Sequence, residues 1–339
     1  MRRDHKKLVF AIALASFITK VQSFEDLFTH GVITVQVGAG TYSLLVDTGS
    51  SNTWVGSGAP YQPGPNSQDT GETVYVSYGD ASFSGEEFTD DVTLDSLTIQ
   101  GQSIGVATSS TGMRDLDGVL GLGPTGLTQG TTSGGGEIPT VIDNLFSQGT
   151  IAAHLVSIAG KQISYGKTDA STFVGAITYG PITGTSPANT FWGIDGSFTY
   201  GPSGTSILAT TAGIIDHSST RTLLASDAYS TFLKLTGATT DQKTSFAVLD
   251  SCDKLESISF DFGGAIFQIP VEQYRWPADQ NTVIGGDVNK CYLAVGDLGT
   301  KSGHGLDFIL GYNTLKHFTV ILDTGNSRVG IAKGNASLL

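Results

Sequence analysis

The sequence sets an aspartate directly after a run of apolar residues, and it does so twice. LLVDTGSS fills 44–51 and GIIDHSSTR fills 213–221. A charge at the end of a strand that feeds the core is unfavourable unless hydrogen bonds satisfy it. In both copies small and hydroxyl-bearing residues follow at once. Each copy also has a later apolar-apolar-glycine segment, DGVLGLG at 117–123 and DFILGYN at 307–313. The interval from Asp47 to Gly121 is 74 residues, and that from Asp216 to Gly311 is 95. A repeat on this scale predicts two similar halves in a pseudo-two-fold arrangement, with a cleft between the lobes.

The rest of the chain has the texture of an all-β protein. At 339 residues it is long enough for two domains of about 150 residues each. Glycine supplies 45 positions, well above the usual ~7%, and charged residues only 14% against a usual ~25%. Without a Gly-X-Y period this is not collagen, and 39% apolar residues exclude wholesale disorder. The glycines instead predict many tight turns between short strands. VITVQV (32–37) alternates, with Ile33, Val35 and Val37 on one face, and YSLLV (42–46) reads as a second strand after a Gly38-Ala39-Gly40 turn. Two helices are expected. One starts at Pro139, with Val141, Ile142, Leu145 and Phe146 inward and a stop at Gly149. The other has Ser226 as N-cap, Tyr229, Phe232 and Leu233 inward, and a stop at Gly237. The run 180–190, rich in Pro, Gly, Ser and Thr, is the expected boundary. It gives an N-terminal lobe over 31–188, a C-terminal lobe over 189–334 and a tail over 335–339.

Residues 1–23 read as a secretory signal peptide. A basic start, MRRDHKK, precedes LVFAIALASFI (8–18), which is too short to span a bilayer, and Ser23 suits the cleavage site. No membrane anchor is expected, and an extracellular location follows. Residues 24–30 form a short segment in which no propeptide is evident. In an oxidising compartment the two cysteines, Cys252 and Cys291, predict one disulfide. Two cysteines and six unclustered histidines make no metal site, and no cofactor is expected. The net charge of −13 disfavours nucleic acid as a partner. It suits either simple solubility or work in acid, where self-repulsion fades.

Two aspartates facing each other across a pseudo-two-fold axis do not both ionise easily, so they share a proton. One carboxylate then acts as base toward a water while the other protonates a substrate carbonyl. That is amide hydrolysis without a metal or a covalent intermediate. The motif VDTGSSNTWVG (46–56) and the hairpin-like VSYGDASFSG (76–85) carry a resemblance to the pepsin-like aspartic peptidases, most of all to their secreted fungal members of polyporopepsin type. The resemblance spans about 31–334. It implies a bilobal fold with a central cleft covered by a flap hairpin, and secreted endopeptidase activity at acid pH. It makes Asp47 and Asp216 catalytic. Thr48, Gly49, Ser50, Trp54, His217, Ser218 and Ser219 become their supports, with Trp54 holding the flap tyrosine. Tyr78, Gly79 and Asp80 become substrate-binding residues of the flap, Asp80 falling where some fungal members admit lysine. Cys252 and Cys291 match the C-terminal-lobe disulfide. Polypeptide substrates, pepstatin-type inhibition and a monomer are implied.

The second motif departs from the family's Asp-Thr-Gly or Asp-Ser-Gly, reading Asp216-His217-Ser218. Strain or an unsatisfied polar group at each change is expected to cost about 1–3 kcal/mol, and a charged His217 would depress the ionisation of the dyad. The alternative is therefore a catalytically impaired pepsin-fold protein that binds peptides. A literal Asp323-Thr324-Gly325 reads as a hairpin turn between FTVIL and RVGIA, without a downstream apolar-apolar-glycine partner. Gly101-Gln102-Ser103-Ile104-Gly105 mimics a nucleophile elbow but is followed by no helix. Gly121-Leu122-Gly123-Pro124-Thr125-Gly126 mimics a dinucleotide loop, and Pro124 makes it a turn.

Overall fold

In a computed structural model, which describes residues 31–78, 81–113 and 115–335, the apolar run at 42–46 forms the middle of an eight-residue strand that ends on Asp47. The described chain divides into two units, Gly31–Val156 with Tyr165–Lys167, and Ser157–Ser164 with Thr168 onward.

The first unit is built on one seven-stranded sheet. In chain order its strands are β1 (Val32–Val37), β2 (Gly40–Asp47), β3 (Trp54–Val55), β4 (Gln68–Tyr78), β5 (Ala81–Leu94), β6 (Leu97–Thr111) and β7 (Gly118–Gly121). Their order across the sheet is β1-β2-β7-β3-β6-β5-β4, and β1 also pairs with β5. β7 is buried at every position, as an apolar run covered on both faces should be. β4 and β5 form the expected hairpin, closing with Tyr78 opposite Ala81. Gly79 and Asp80 lie outside the described residues. The literal Gly101–Gly105 motif lies inside β6, and Pro124 leads from β7 into a single 3₁₀ turn at Thr125–Thr128.

β8 (Leu155–Ala159) and β9 (Gln162–Tyr165) straddle the division, and the second unit goes on with β10 (Phe173–Pro181), β11 (Gly193–Tyr200), β12 (Thr205–Asp216) and β13 (Thr222–Leu224). It continues through β14 (Thr239–Thr240), β15 (Ala247–Leu249), β16 (Ile258–Phe262), β17 (Ala265–Ile269), β18 (Cys291–Leu293), β19 (Val295–Asp297), β20 (Phe308–Gly311), β21 (Phe318–Asp323) and β22 (Arg328–Gly334). A seven-stranded sheet runs β17-β16-β11-β12-β20-β13-β19, a five-stranded one β10-β22-β21-β8-β9, and a small one β14-β15-β18. The first of these repeats the pairing pattern of the first unit. β2 runs parallel to β7 as β12 runs parallel to β20. β3 is antiparallel to β7 and parallel to β6, as β13 is to β20 and β19. The Asp323-Thr324-Gly325 segment is the β21–β22 turn, where Asp323 accepts hydrogen bonds from Asn326 and from Arg328 Nε at 2.7 Å.

The division near Val156–Thr168 comes ahead of the boundary expected at 188. The strands of 155–181 hydrogen-bond into one sheet with the final β21–β22 hairpin, a pairing that local composition does not encode. Cys252 and Cys291 are bonded, with Cα atoms 5.6 Å apart, and the bridge closes a 39-residue separation. Among the described residues no helix is long and apolar enough to cross a membrane.

The first expected helix is α1 (Val141–Ser147), with Thr140 as its N-cap instead of a start at Pro139. Thr140 and Asp143 form a reciprocal capping box, which satisfies two otherwise orphaned backbone N–H groups. Val141, Ile142 and Leu145 face inward, whereas Phe146 is 42% exposed and stacks on His154. The second is α2 (Ser226–Thr236), ending at the left-handed Gly237 (φ 75°). Its N-cap is Ala225, because Ser226 Oγ donates to Asp297 instead, at 2.6 Å. Tyr229 and Phe232 are buried, and Leu233 is only half-buried.

Asp143 also receives Thr125 Oγ1 at 2.6 Å and contacts His154 Nε2 at 2.8 Å. Burial pushes its ionisation upward, but the hydrogen bonds from Thr125, Thr140 and His154 outweigh it and hold the carboxyl below its ordinary value. A lowered folded pKa means that the stabilisation is complete above the unfolded value, near 3.9, and is lost as pH falls through the lower folded one. Asp143→Ala should therefore cost about 1–2 kcal/mol in urea unfolding at pH 6. The deficit should shrink below pH ~3, and an equal deficit at pH 6 and pH 2 would refute the assignment.

Candidate active site

Asp47 ends β2 and Asp216 ends β12, and each is only 3% exposed. In each unit the aspartate is the last residue of a parallel pair, opposite Gly121 of β7 or Gly311 of β20. The chain then folds back over that neighbouring strand. A Cβ on Gly121 would strike the backbone of Ser51 and Asn52, and one on Gly311 would strike the backbone oxygens of Ser219 and Arg221. The glycine ending each apolar-apolar-glycine segment thus makes room for the loop that follows the aspartate. Backbone hydrogen bonds fasten the crossing, with Gly123 N donating to Ser50 O at 2.7 Å and Tyr312 N to Ser219 O at 2.6 Å.

Both carboxylates are satisfied by their own loops. Gly49 N–H donates to Asp47 Oδ1 at 2.7 Å, and Ser50 Oγ to Oδ2 at 2.5 Å. Ser218 N–H donates to Asp216 Oδ1 at 2.9 Å, and Ser219 Oγ to Oδ2 at 2.6 Å. The N–H at the second position after the aspartate and the hydroxyl at the third therefore repeat. Ser218 adds a third donor, its Oγ reaching Oδ1 at 2.7 Å. The expectation that Ser218 strains the loop or strands a hydroxyl is not met. The described non-glycine residues with positive φ are Asp95, Asp115, Ser245 and Ser327, and Ser218 is not one of them. Its hydroxyl is spent on the carboxylate it was expected to disturb.

Thr48 and His217, the residues just after each aspartate, are buried at 0% and 4% exposure. Burial lowers the His217 pKa to about 3. The imidazole is therefore neutral over most of the acid range, and the expected effect of a cationic His217 on the neighbouring carboxyl does not arise. Trp54 is fully buried and stacks on Phe83 with ring centroids 4.3 Å apart, tying the loop after Asp47 to the returning strand of the hairpin. Phe83 is a support that sequence reasoning missed, although its place five residues after Tyr78 on an inward strand position could have indicated it. Tyr78 ends β4. Among the described residues no three His, Cys, Asp or Glu side chains cluster as metal ligands.

Comparison with known proteins agrees with this geometry. The family model for eukaryotic aspartyl proteases matches residues 31–334. Polyporopepsin of Irpex lacteus is 48% identical over 317 residues, covering 89% of this chain and 93% of that protein. Pepsin A of Gallus gallus is 28% identical over 345 residues, covering 93% and 88%. The crystal structure of an aspartic proteinase from Irpex lacteus superposes with a TM-score of 0.88 at 47% identity, over 91% of this chain and 96% of that one.

A folded pKa of about 3 for His217, against an unfolded value near 6.5, means that its burial carries no protonation penalty above pH ~6.5. It opposes folding increasingly as pH falls toward about 3. The imidazole Cε1–H resonance of His217, assigned by its loss in His217→Thr, should stay flat from pH 7 to about pH 4. A titration midpoint above about pH 5 would contradict a buried neutral ring.

Proposed function

The chain belongs to the eukaryotic aspartyl protease family and is a pepsin-type aspartic endopeptidase of bilobal pepsin fold, and from that premise we propose that Asp47 and Asp216 are its catalytic pair, working in acid. The single observation that carries this reading is the duplicated cradle. Each aspartate ends a buried strand opposite a glycine, with N–H and hydroxyl donors two and three positions on.

In this reading the two carboxyl groups share one proton and hold a water. The ionised aspartate takes a proton from the water as its oxygen attacks the scissile carbonyl carbon. The protonated aspartate gives its proton to the carbonyl oxygen, producing a neutral tetrahedral diol. Collapse returns a hydroxyl proton to a carboxylate while the amide nitrogen is protonated and the C–N bond breaks. No covalent enzyme intermediate and no cofactor are needed. The hydroxyls of Ser50, Ser218 and Ser219 keep the carboxyl oxygens oriented, and Thr48 and His217, next in sequence to the aspartates, are buried. Tyr78, Gly79 and Asp80 bind the substrate, and the stack of Trp54 on Phe83 supports the hairpin on which Tyr78 lies. Polypeptides are the substrates and pepstatin-type peptides the inhibitors. The leader-like residues 1–23 support secretion, and the enzyme acts as a monomer.

A reading as an impaired peptide-binding protein rested on the changes at His217 and Ser218. It loses its support, since Asp216 keeps both donors found at Asp47 and gains one.

Cleavage of denatured casein at pH 3–5 tests the proposal. The wild type should cut and pepstatin should stop it. Asp47→Asn and Asp216→Asn should each lower kcat by about 10²–10⁴-fold. Undiminished cleavage by either variant would remove that residue from the pair.

A further inference from the structure

Arg221 stands five residues after Asp216, in the loop whose Ser219 supports that carboxylate. It is half-buried, and one Nη donates to the carbonyl of Ser245 at 2.9 Å. Its guanidinium carbon lies 4.6 Å from the centre of the Phe246 ring, a cation–π stack that orients the plane. The partner loop is shaped for this contact. Ser245 takes a left-handed backbone (φ 61°), uncommon for a residue with a side chain, and this sets its carbonyl toward the guanidinium. On the other side a Cβ on Gly296 would lie 3.1 Å from the guanidinium carbon, so glycine there leaves the space that the group fills.

What the guanidinium lacks is an anion. The ion pairs among the described residues are those of His154, Lys290 and Arg328, and none involves Arg221. The neighbouring Asp297 instead accepts from Ser226 Oγ and Gly299 N–H. The remaining nitrogens, Nε and the second Nη, are neither hydrogen-bonded nor among the fully buried atoms without a partner. In a chain with 31 acidic residues against 18 basic ones, an oriented arginine with free donors and no carboxylate is conspicuous.

We propose that Arg221 is a specificity-determining residue, whose guanidinium receives the carboxylate of an acidic side chain in the polypeptide substrate. The inference rests on the peptidase reading above and adds a substrate preference to it. Two free N–H groups in one plane match a carboxylate, and stacking on Phe246 removes much of the entropy such a contact would otherwise cost. A purely structural arginine, clamping only the Ser245 carbonyl, would favour no substrate side chain.

The test uses C-terminally amidated peptides around one scissile bond, each position carrying Glu or Gln in turn, at pH 5, where glutamate is mostly ionised. Amidation keeps the peptide terminus from supplying the carboxylate. For the wild type, kcat/KM should favour Glu over Gln about tenfold at one position. That ratio should fall to near one in Arg221→Met and stay partial in Arg221→Lys. A ratio near one at every position in the wild type overturns the proposal without needing any variant. So does a preference that survives in Arg221→Met. Fluorescence anisotropy on the same peptides gives the Glu-to-Gln ratio of Kd independently of turnover. Absence of cleavage would therefore count against the peptidase reading alone, while the binding ratio still decides the role of Arg221.

Discussion

A carboxylate at the end of a buried strand has to be satisfied on the spot, and the architecture around both aspartates follows from that requirement. Taking an ionised group out of water costs several kcal/mol unless hydrogen bonds replace the solvent. Hydrogen bonds to charged groups return about 1.5–3 kcal/mol each. Donors close enough to serve must come from the next few residues, so the chain has to turn sharply after the aspartate. A sharp turn beside a parallel neighbour forces the loop across that neighbour, and Gly121 and Gly311 are where it crosses. The strand pairing, the terminal glycine and the hydroxyl three positions on are thus one solution to one electrostatic problem, found twice in the chain.

The two copies also show which parts of that solution are negotiable. Gly49 and Ser218 occupy equivalent places, and each offers its N–H to the same carboxyl oxygen of its aspartate. What the site demands there is an amide in position, which does not need a left-handed backbone, so a serine is admitted and brings a further donor. His217 is admitted by a different route. Its ring enters the buried layer in its neutral form, where an imidazole behaves as a bulky polar group without charge. Both departures from the family pattern therefore leave the carboxylate with its donors.

Much of this was legible in residues 44–51 and 213–221, because the apolar run, the aspartate and the hydroxyls are contiguous in sequence. The strand and turn rhythm was legible for the same reason, as a period of two interrupted by glycine. Features set by distant partners were not. The boundary expected at 188 fell inside the second unit because strands from 155–181 pair with the last hairpin. Ser226 looked like a cap, but Asp297 of β19 takes its hydroxyl. Pro139 looked like a helix start, although Thr140 and Asp143 carried the capping-box spacing one residue later. The elbow-like Gly101–Gly105 motif has a packing origin at its last glycine, where a Cβ would collide with the stacked Phe83 and Trp54. Arg221 was passed over because a single cation in a Ser- and Thr-rich loop gains its meaning only from Ser245 and Phe246.

The acidity of the chain takes on a third meaning beside solubility and acid habitat. Several aspartates act as loop staples, Asp90 and Asp307 fully buried and Asp117 half-buried. Asp117 receives the N–H groups of Ser43 and Ala59, 2.8 and 2.7 Å away. Asp90 receives Tyr61 OH at 2.6 Å and Gly64 N–H at 2.8 Å. Asp307 receives Thr211 Oγ1 at 2.5 Å and Gly303 N–H at 2.8 Å. None of these three is in an ion pair with a described residue. Contacts of this kind act over one hydrogen-bond length, so salt screens them far less than it screens charges spread over a surface. Few lysines and arginines are then no handicap to a chain that binds its carboxylates with backbone amides and hydroxyls. The cradles of Asp47 and Asp216 use the same chemistry as these staples, and differ in that each sits at the end of a duplicated buried strand.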